Sequence, residues 1–274
     1  MFLKTEEEMY SIKTSQIGKS ACGPTSVLNV LSSLDIPNLP NPSELLKFFP
    51  ARLRDYDTPS IAKYLYSRAV AGTIHQEIID TIEKITNKAV IGKFFIIEPY
   101  IDKNKFAEWL IKVFEKKLST VFTENLFIEG NDAWHHQMGY GIKDNYIYLT
   151  NPMNKIPVYQ MIQYLTVGQW MIIPNEHIKK REITKDDIEE LKKEKWDCFN
   201  VLDRIANIKM RDKITCFGQS AYDGLTIPYG GIAGISLFCK IDNEEGMKFL
   251  NQYKDEDLNL PIYEKVIKVV KRQL

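Results

Sequence analysis

The spacing of apolar residues changes partway along the chain, from a helical period to a strand period. Residues Gly23 to Leu34 carry Val27, Leu28, Val30 and Leu31 at helical spacing behind a Gly-Pro start, where Pro24 suits a first helical turn. The proline-punctuated run Ile36 to Ser43 reads as a loop, and Ser43-Glu44-Leu45-Leu46-Lys47 opens another helix. The same spacing predicts helices near Thr58 to Ala69, His75 to Thr86 and Lys103 to Lys117. Leu118 to Thr123 is then short and β-branched, and Gln137 to Ile142 and Tyr146 to Thr150 flank Lys143-Asp144-Asn145 as a hairpin. Gln169 to Ile173, ahead of Pro174, reads as a further strand. Helices first and an antiparallel sheet afterwards predict an α+β fold rather than a doubly wound one.

Composition then shifts between His177 and Lys195, a strongly charged stretch of mixed sign in which Thr184-Lys185-Asp186-Asp187 resembles a helix N-cap with its acidic first turn. It reads as a solvated helix and a boundary. The expected organisation is therefore a first domain over 1–176, a charged helical linker over 177–196 and a small C-terminal α+β domain over 197–274. In that last part Lys213 to Cys216 and Ile232 to Lys240 read as strands around an irregular Gly/Pro stretch, Gly224 to Gly231. Helices near Glu245 to Tyr253 and Leu260 to Lys271 complete it.

Charge and cysteine usage narrow the function classes. Lys+Arg and Asp+Glu are both 36, so no long-range pull toward nucleic acid or an anionic membrane is expected. Cys22, Cys198, Cys216 and Cys239 lack the paired spacing of a zinc knuckle and are too few for a disulfide framework. They read as reduced thiols, which suits a cytoplasmic protein without a metal or other cofactor. The N-terminal residues have no apolar h-region, and no run approaches the roughly 18 apolar residues of a membrane span. Ile17-Gly18-Lys19-Ser20 is no phosphate loop, because Lys13 stands where the first glycine of that motif belongs.

The informative segment is Ser15 to Leu31. It sets Gln16 six residues before Cys22 and puts Cys22 at the mouth of the predicted helix. A thiolate is the nucleophilic form of cysteine, and a helix N-terminus stabilises that anion. The same helix start offers backbone N–H groups to a developing oxyanion, with the Gln16 amide as a second donor. A second segment, Trp134 to Pro152, places His135 on one hairpin strand and Asn151 at the end of the next, sixteen residues apart. A nucleophile of this kind needs a base that becomes an imidazolium, and the base needs a third group to fix its ring. His136 is the alternative base; alternation puts it in phase with Met138, Tyr140 and Ile142, while His135 shares its face with Gln137 and Gly139. Trp134 and Trp170 read as packing residues, His75 and His177 as surface residues, and Cys216 and Cys239 as buried thiols.

Taken together, Gln16, Cys22-Gly23-Pro24 opening a helix, and a downstream His and Asn-Pro resemble the papain-like cysteine peptidase fold. The closest resemblance is to the C39-like group of bacteriocin-processing peptidases and their single-domain relatives, and a more distant one is to phytochelatin synthases. The resemblance covers roughly residues 10 to 176. It implies Cys22 as nucleophile, His135 as base, Asn151 as orienter where this group more often has Asp, and Gln16 in the oxyanion hole. The activity it implies is cysteine-dependent hydrolysis of a peptide or isopeptide bond in a peptide or protein substrate, through an acyl-enzyme. Two alternatives stand beside it: acyl transfer by the same site, and a catalytically inactive binding module.

Overall fold

A computed structural model describes residues 1–18, 21–49, 55–97, 101–126, 133–166, 170–193, 224–228 and 233–253. The chain opens with α1 (Glu6–Ile12), whose N-cap Thr5 and Glu8 exchange hydrogen bonds in a capping box. Then comes α2 (Cys22–Ser33), buried from Gly23 to Ser33. A helix covered on all sides is expected to be apolar all round, yet α2 carries Ser26, Asn29 and Ser33. Each is satisfied: Ser26 Oγ donates to the His136 carbonyl at 3.1 Å, Asn29 Nδ2 to Thr150 Oγ1 at 3.4 Å, and Ser33 Oγ to Ser119 Oγ at 2.9 Å. The polar stripe is thus the side of α2 that faces the sheet, and it fixes how the helix lies on it.

Helices α3 (Pro42–Leu45), α4 (Ile61–Val70) and α5 (His75–Ile85) follow, and β1 (Val90–Phe95) leads into α6 (Lys103–Glu115). Strands β2 (Ser119–Asn125), β3 (Trp134–Lys143), β4 (Tyr146–Leu149) and β5 (Asn154–Pro157) then form a meander. The β3–β4 turn has Asp144 and Asn145 at φ 52° and 61°, the left-handed pair that a two-residue hairpin needs and that Asp and Asn tolerate. After α7 (Val158–Leu165) come β6 (Trp170–Pro174), α8 (Asn175–Lys179) and α9 (Lys185–Lys193). The last elements among the described residues are β7 (Gly224–Pro228), β8 (Gly234–Lys240) and α10 (Glu244–Gln252).

The main sheet has six strands in the order β1-β8-β2-β3-β4-β5, every neighbouring pair antiparallel. Helices α2 and α5 lie on one face: Ser33 meets Ser119, and a Cβ on Gly92 would strike Ile79 of α5. On the other face Phe95 meets Trp109 of α6, and α7 packs on β2. The fold is therefore α+β, with an antiparallel sheet between two helical layers.

Two expectations about organisation need correction. Residues 233–253 do not stand apart as a C-terminal domain: β8 lies between β1 and β2, with Ile235 opposite both Phe95 and Phe122, and Leu237, Phe238 and Cys239 are wholly buried. Nor is the charged stretch from His177 a solvated linker. Arg181 and Asp187 are buried; Arg181 Nε donates to the Thr58 carbonyl at 3.1 Å, and its guanidinium lies 3.5 Å over the Tyr64 ring. Asp187 accepts from Ser60 Oγ and, at 3.1 Å, from the Ala62 N–H, so α9 is docked on the first turn of α4. Gly224–Pro228, in the Gly/Pro-bearing stretch, pairs with β6 in a two-stranded sheet. The expected strand at Lys213 to Cys216, the expected helix at Leu260 to Lys271, the side chain of Trp170, and Cys198 and Cys216 lie outside the described residues.

Candidate active site

Cys22 is the first helical residue of α2 and is half-buried. Its N-cap, Ala21, brings no side-chain oxygen to the helix mouth, and Pro24 has no N–H. The amides of the first turn are therefore those of Cys22 and Gly23. Gly23 is required by contact: a Cβ there would sit 2.7 Å from Thr73. Thr73 in turn matters to the histidines, as described below.

The loop before α2 is tied along the helix. Ile17 N–H donates to Thr25 Oγ1 at 3.3 Å and Thr14 N–H to Asn29 Oδ1 at 2.7 Å. These bonds carry Gln16, which is exposed, alongside the first turns of α2. Its Nε2 donates to the Gly18 carbonyl at 2.9 Å, and its Oε1 accepts from Asn151 Nδ2 at 3.4 Å. Gln16 and Asn151, expected to share a site, are thus in contact across 135 positions of sequence.

His135, half-buried near the start of β3, makes one hydrogen bond among the described residues: Nε2 lies 3.0 Å from the backbone carbonyl of Asn151. A carbonyl oxygen only accepts, so Nε2 carries the proton and Nδ1 is the free lone pair. Burial lowers the imidazole pKa below its ordinary 6.5, with the bond to Asn151 opposing it, so the ring is neutral near pH 7. Asn151 orients the ring through its main chain, not through the side-chain amide expected of it. It holds that posture at φ 55°, a left-handed conformation that asparagine adopts more readily than most residues. Gln137, two positions beyond His135, steadies the same carbonyl: its Nε2 donates to Asn151 O at 2.8 Å and to Thr150 O at 3.1 Å.

His136 is placed quite differently. Its Nε2 lies 2.8 Å from the Thr73 carbonyl, which makes that nitrogen the donor, and its Nδ1 accepts from Thr123 Oγ1 at 3.0 Å. Both nitrogens are engaged in a fully buried setting, and burial pushes the pKa down to about 4. With no free lone pair, His136 is a structural pin between β3 and the segment before α5. Alternation puts His136 and Thr123 on the face toward α2, and His135, Gln137 and Glu124 on the other. No hydrogen bond among the described residues joins Cys22 to His135; the bonds at Asn151 connect His135 with Gln16, in the loop ahead of Cys22. Catalytic hydrogen bonds are commonly long in unliganded enzymes and tighten on the substrate.

Other expectations are corrected here. His75 is not a surface residue: it is 1% exposed, its ring stacks on Phe94 at 3.7 Å, and burial pushes its pKa down to about 3. His177 is half-buried and shares a 2.6 Å hydrogen bond with the Tyr64 hydroxyl. Cys239, in contrast, is buried as expected, and burial raises its thiol pKa to about 11. Among the described residues no group of three or more His, Cys, Asp or Glu is placed to hold a metal ion, and no helix is long and apolar enough to cross a membrane. Sequence reasoning missed Thr73, Gln137 and Glu124. Of these only Gln137 gave a signal, as a polar residue in phase with His135 on the same strand.

No family model matches the chain, and no curated protein matches it.

Proposed function

We propose that the protein is a cysteine-dependent hydrolase of the papain-like type, nearest in its motifs to C39-like peptidases, that cleaves a peptide or isopeptide bond. The observation that carries this reading is the 3.0 Å contact between His135 Nε2 and the Asn151 carbonyl. The Asn151 carbonyl holds the proton on Nε2, leaving Nδ1 as an unencumbered base in the cluster that includes Gln16, six residues ahead of Cys22.

The chemistry follows from these groups. Substrate binding brings Nδ1 within reach of the thiol; the S–H proton passes to Nδ1, and the thiolate attacks the carbonyl carbon. The amides at the mouth of α2, with the second N–H of the Gln16 amide, receive the developing oxyanion. The imidazolium then protonates the leaving amine, and an acyl-enzyme forms on Sγ. Water, deprotonated at Nδ1, releases the acid and restores the thiol. A reduced cytosol suits a free thiol of this kind.

The test is to trap the acyl-enzyme with an activated acyl ester and follow its decay by intact mass. The reading predicts a single adduct on Cys22, absent from Cys22→Ser, that decays in water alone. Decay that needs added amine would make the protein an acyltransferase. Failure of Cys22 to acylate would leave a binding module.

A further inference from the structure

Glu124 has no exposed surface, and among the described residues neither carboxyl oxygen has a hydrogen-bond partner. Burying a carboxyl without a partner is costly, and such groups in a folded protein call for a specific explanation. Register supplies one. Glu124 on β2 is directly opposite His135 on β3, and opposed residues of an antiparallel pair share a face with Cβ atoms about 4.5–5.5 Å apart. The adjacent pair, Thr123 and His136, bond to each other on the opposite face. The next pair on Glu124's own face is Phe122 with Gln137, the residue that steadies the Asn151 carbonyl. A buried acid therefore stands beside the imidazole that the proposed reaction must charge. Toward that charge Asn151 offers only a dipole.

We propose that Glu124 is the counter-ion of the His135 imidazolium, a positioning residue that acts on Cys22 through the base. This rests on reading Cys22 and His135 as nucleophile and base. At rest all three groups are neutral. On activation the Cys22 S–H bond breaks and its proton forms the N–H bond at His135 Nδ1, while the Glu124 O–H proton passes to water. The result is a thiolate, an imidazolium and a carboxylate, the last two neutralising each other.

The surroundings agree with a protonated resting acid. Burial alone raises Glu124, to about 8. Thr123, Asn125 and, on β8, Gly234 are uncharged; α7 carries no charged side chain; and Lys103, Lys105, Glu108, Lys112 and Glu115 of α6 are exposed. His136, on the far face, is neutral at the same pH. Among the described residues, His135 is then the titratable group set beside this carboxyl.

The direct test is the pH at which Cys22 ionises, followed by thiolate absorbance as the difference from Cys22→Ala, with and without Glu124→Gln, whose amide keeps the shape of the protonated acid. That midpoint should rise by at least one unit in Glu124→Gln, about a tenfold loss of thiolate stability. An unchanged midpoint overturns the proposal. Should Glu124→Gln fail to fold, difference infrared spectra of the unsubstituted protein decide instead: the protonated-carboxyl band must vanish as Cys22 ionises, and its persistence is fatal. A wild-type Cys22 that does not acylate would sink the hydrolase reading alone, since the thiolate titration needs no turnover.

Discussion

At the scale of single residues, the candidate base is set up by a main-chain carbonyl. His135 Nε2 and Gln137 Nε2 both donate to Asn151 O, at 3.0 and 2.8 Å, whereas the Asn151 amide reaches away to Gln16. Two substitutions separate these roles. Asn151→Gly keeps the carbonyl and tolerates φ 55°, so the alkylation rate of Cys22 at pH 7 is expected to fall less than about threefold. Gln137→Leu removes one of the two donors that hold the carbonyl, a loss of about 1–1.5 kcal/mol in ordering, and is expected to slow alkylation about tenfold. The reverse ranking would return the orienting role to the Asn151 side chain. Much of this was legible from the chain: Cys22 at a helix start, and His135 and Asn151 close enough in sequence for one hairpin to join them. Which atom of Asn151 would face the ring was not, because that depends on a left-handed φ. Nor was the difference between His135 and His136, which rests on Thr73 and Thr123 drawn from distant segments.

Elements tell a similar story. Helix α2 and the β3–β4 hairpin were readable because their signals are local: a Gly-Pro start with apolar residues at helical spacing, and an Asp-Asn turn between alternating strands. Strand β8 was read as a strand but given to a separate domain, and no local pattern says that residues near 237 will lie between strands near 93 and 120. The apolar run of β1 fell in a stretch dominated by helical periodicity and was not recognised. The burial of Arg181 and Asp187 was hidden for the same reason, since a mixed charge run looks solvated until its partners at Thr58, Ser60 and Ala62 are known. The central position of β8 has a direct consequence. A chain ending at residue 176 loses β8 and leaves the facing edges of β1 and β2 unpaired. It is expected to lack a cooperative urea transition, whereas a soluble monomer that unfolds cooperatively would restore the separate C-terminal domain.

At the scale of the whole molecule, the largest shifts below pH 8 among the described residues belong to three buried groups. His75 and His136 are pushed from 6.5 to about 3 and about 4. Below pH 6.5 the unfolded chain takes up protons that the folded chain refuses, so stability falls as the pH drops through that range. Glu124 is raised from 4.5 to about 8. Above 4.5 the folded chain keeps a proton that the unfolded chain has lost, so this contribution is full at low pH and is lost as the pH rises toward about 8. Each unmatched proton is worth about 1.4 kcal/mol per pH unit. The two histidines outweigh the one acid below 6.5, and the acid acts alone above it. Unfolding free energy is therefore expected to peak near pH 6.5, and Glu124→Gln is expected to flatten the arm between 6.5 and 8. A peak at pH 8 or above in the unsubstituted protein would contradict this assignment of charges.

Activation of the Cys22 thiol by His135 is the step on which the proposed chemistry depends. The measurement that tests this most directly is the pH profile of Cys22 alkylation by iodoacetamide, read peptide by peptide against Cys239 and repeated in His135→Ala. The predicted result is a Cys22 rate that rises with a midpoint well below the ~8.5 of a free thiol, a slow Cys239, and a return to the free-thiol midpoint when His135 is removed. A Cys22 profile centred near 8.5 that is the same with and without His135 would contradict it.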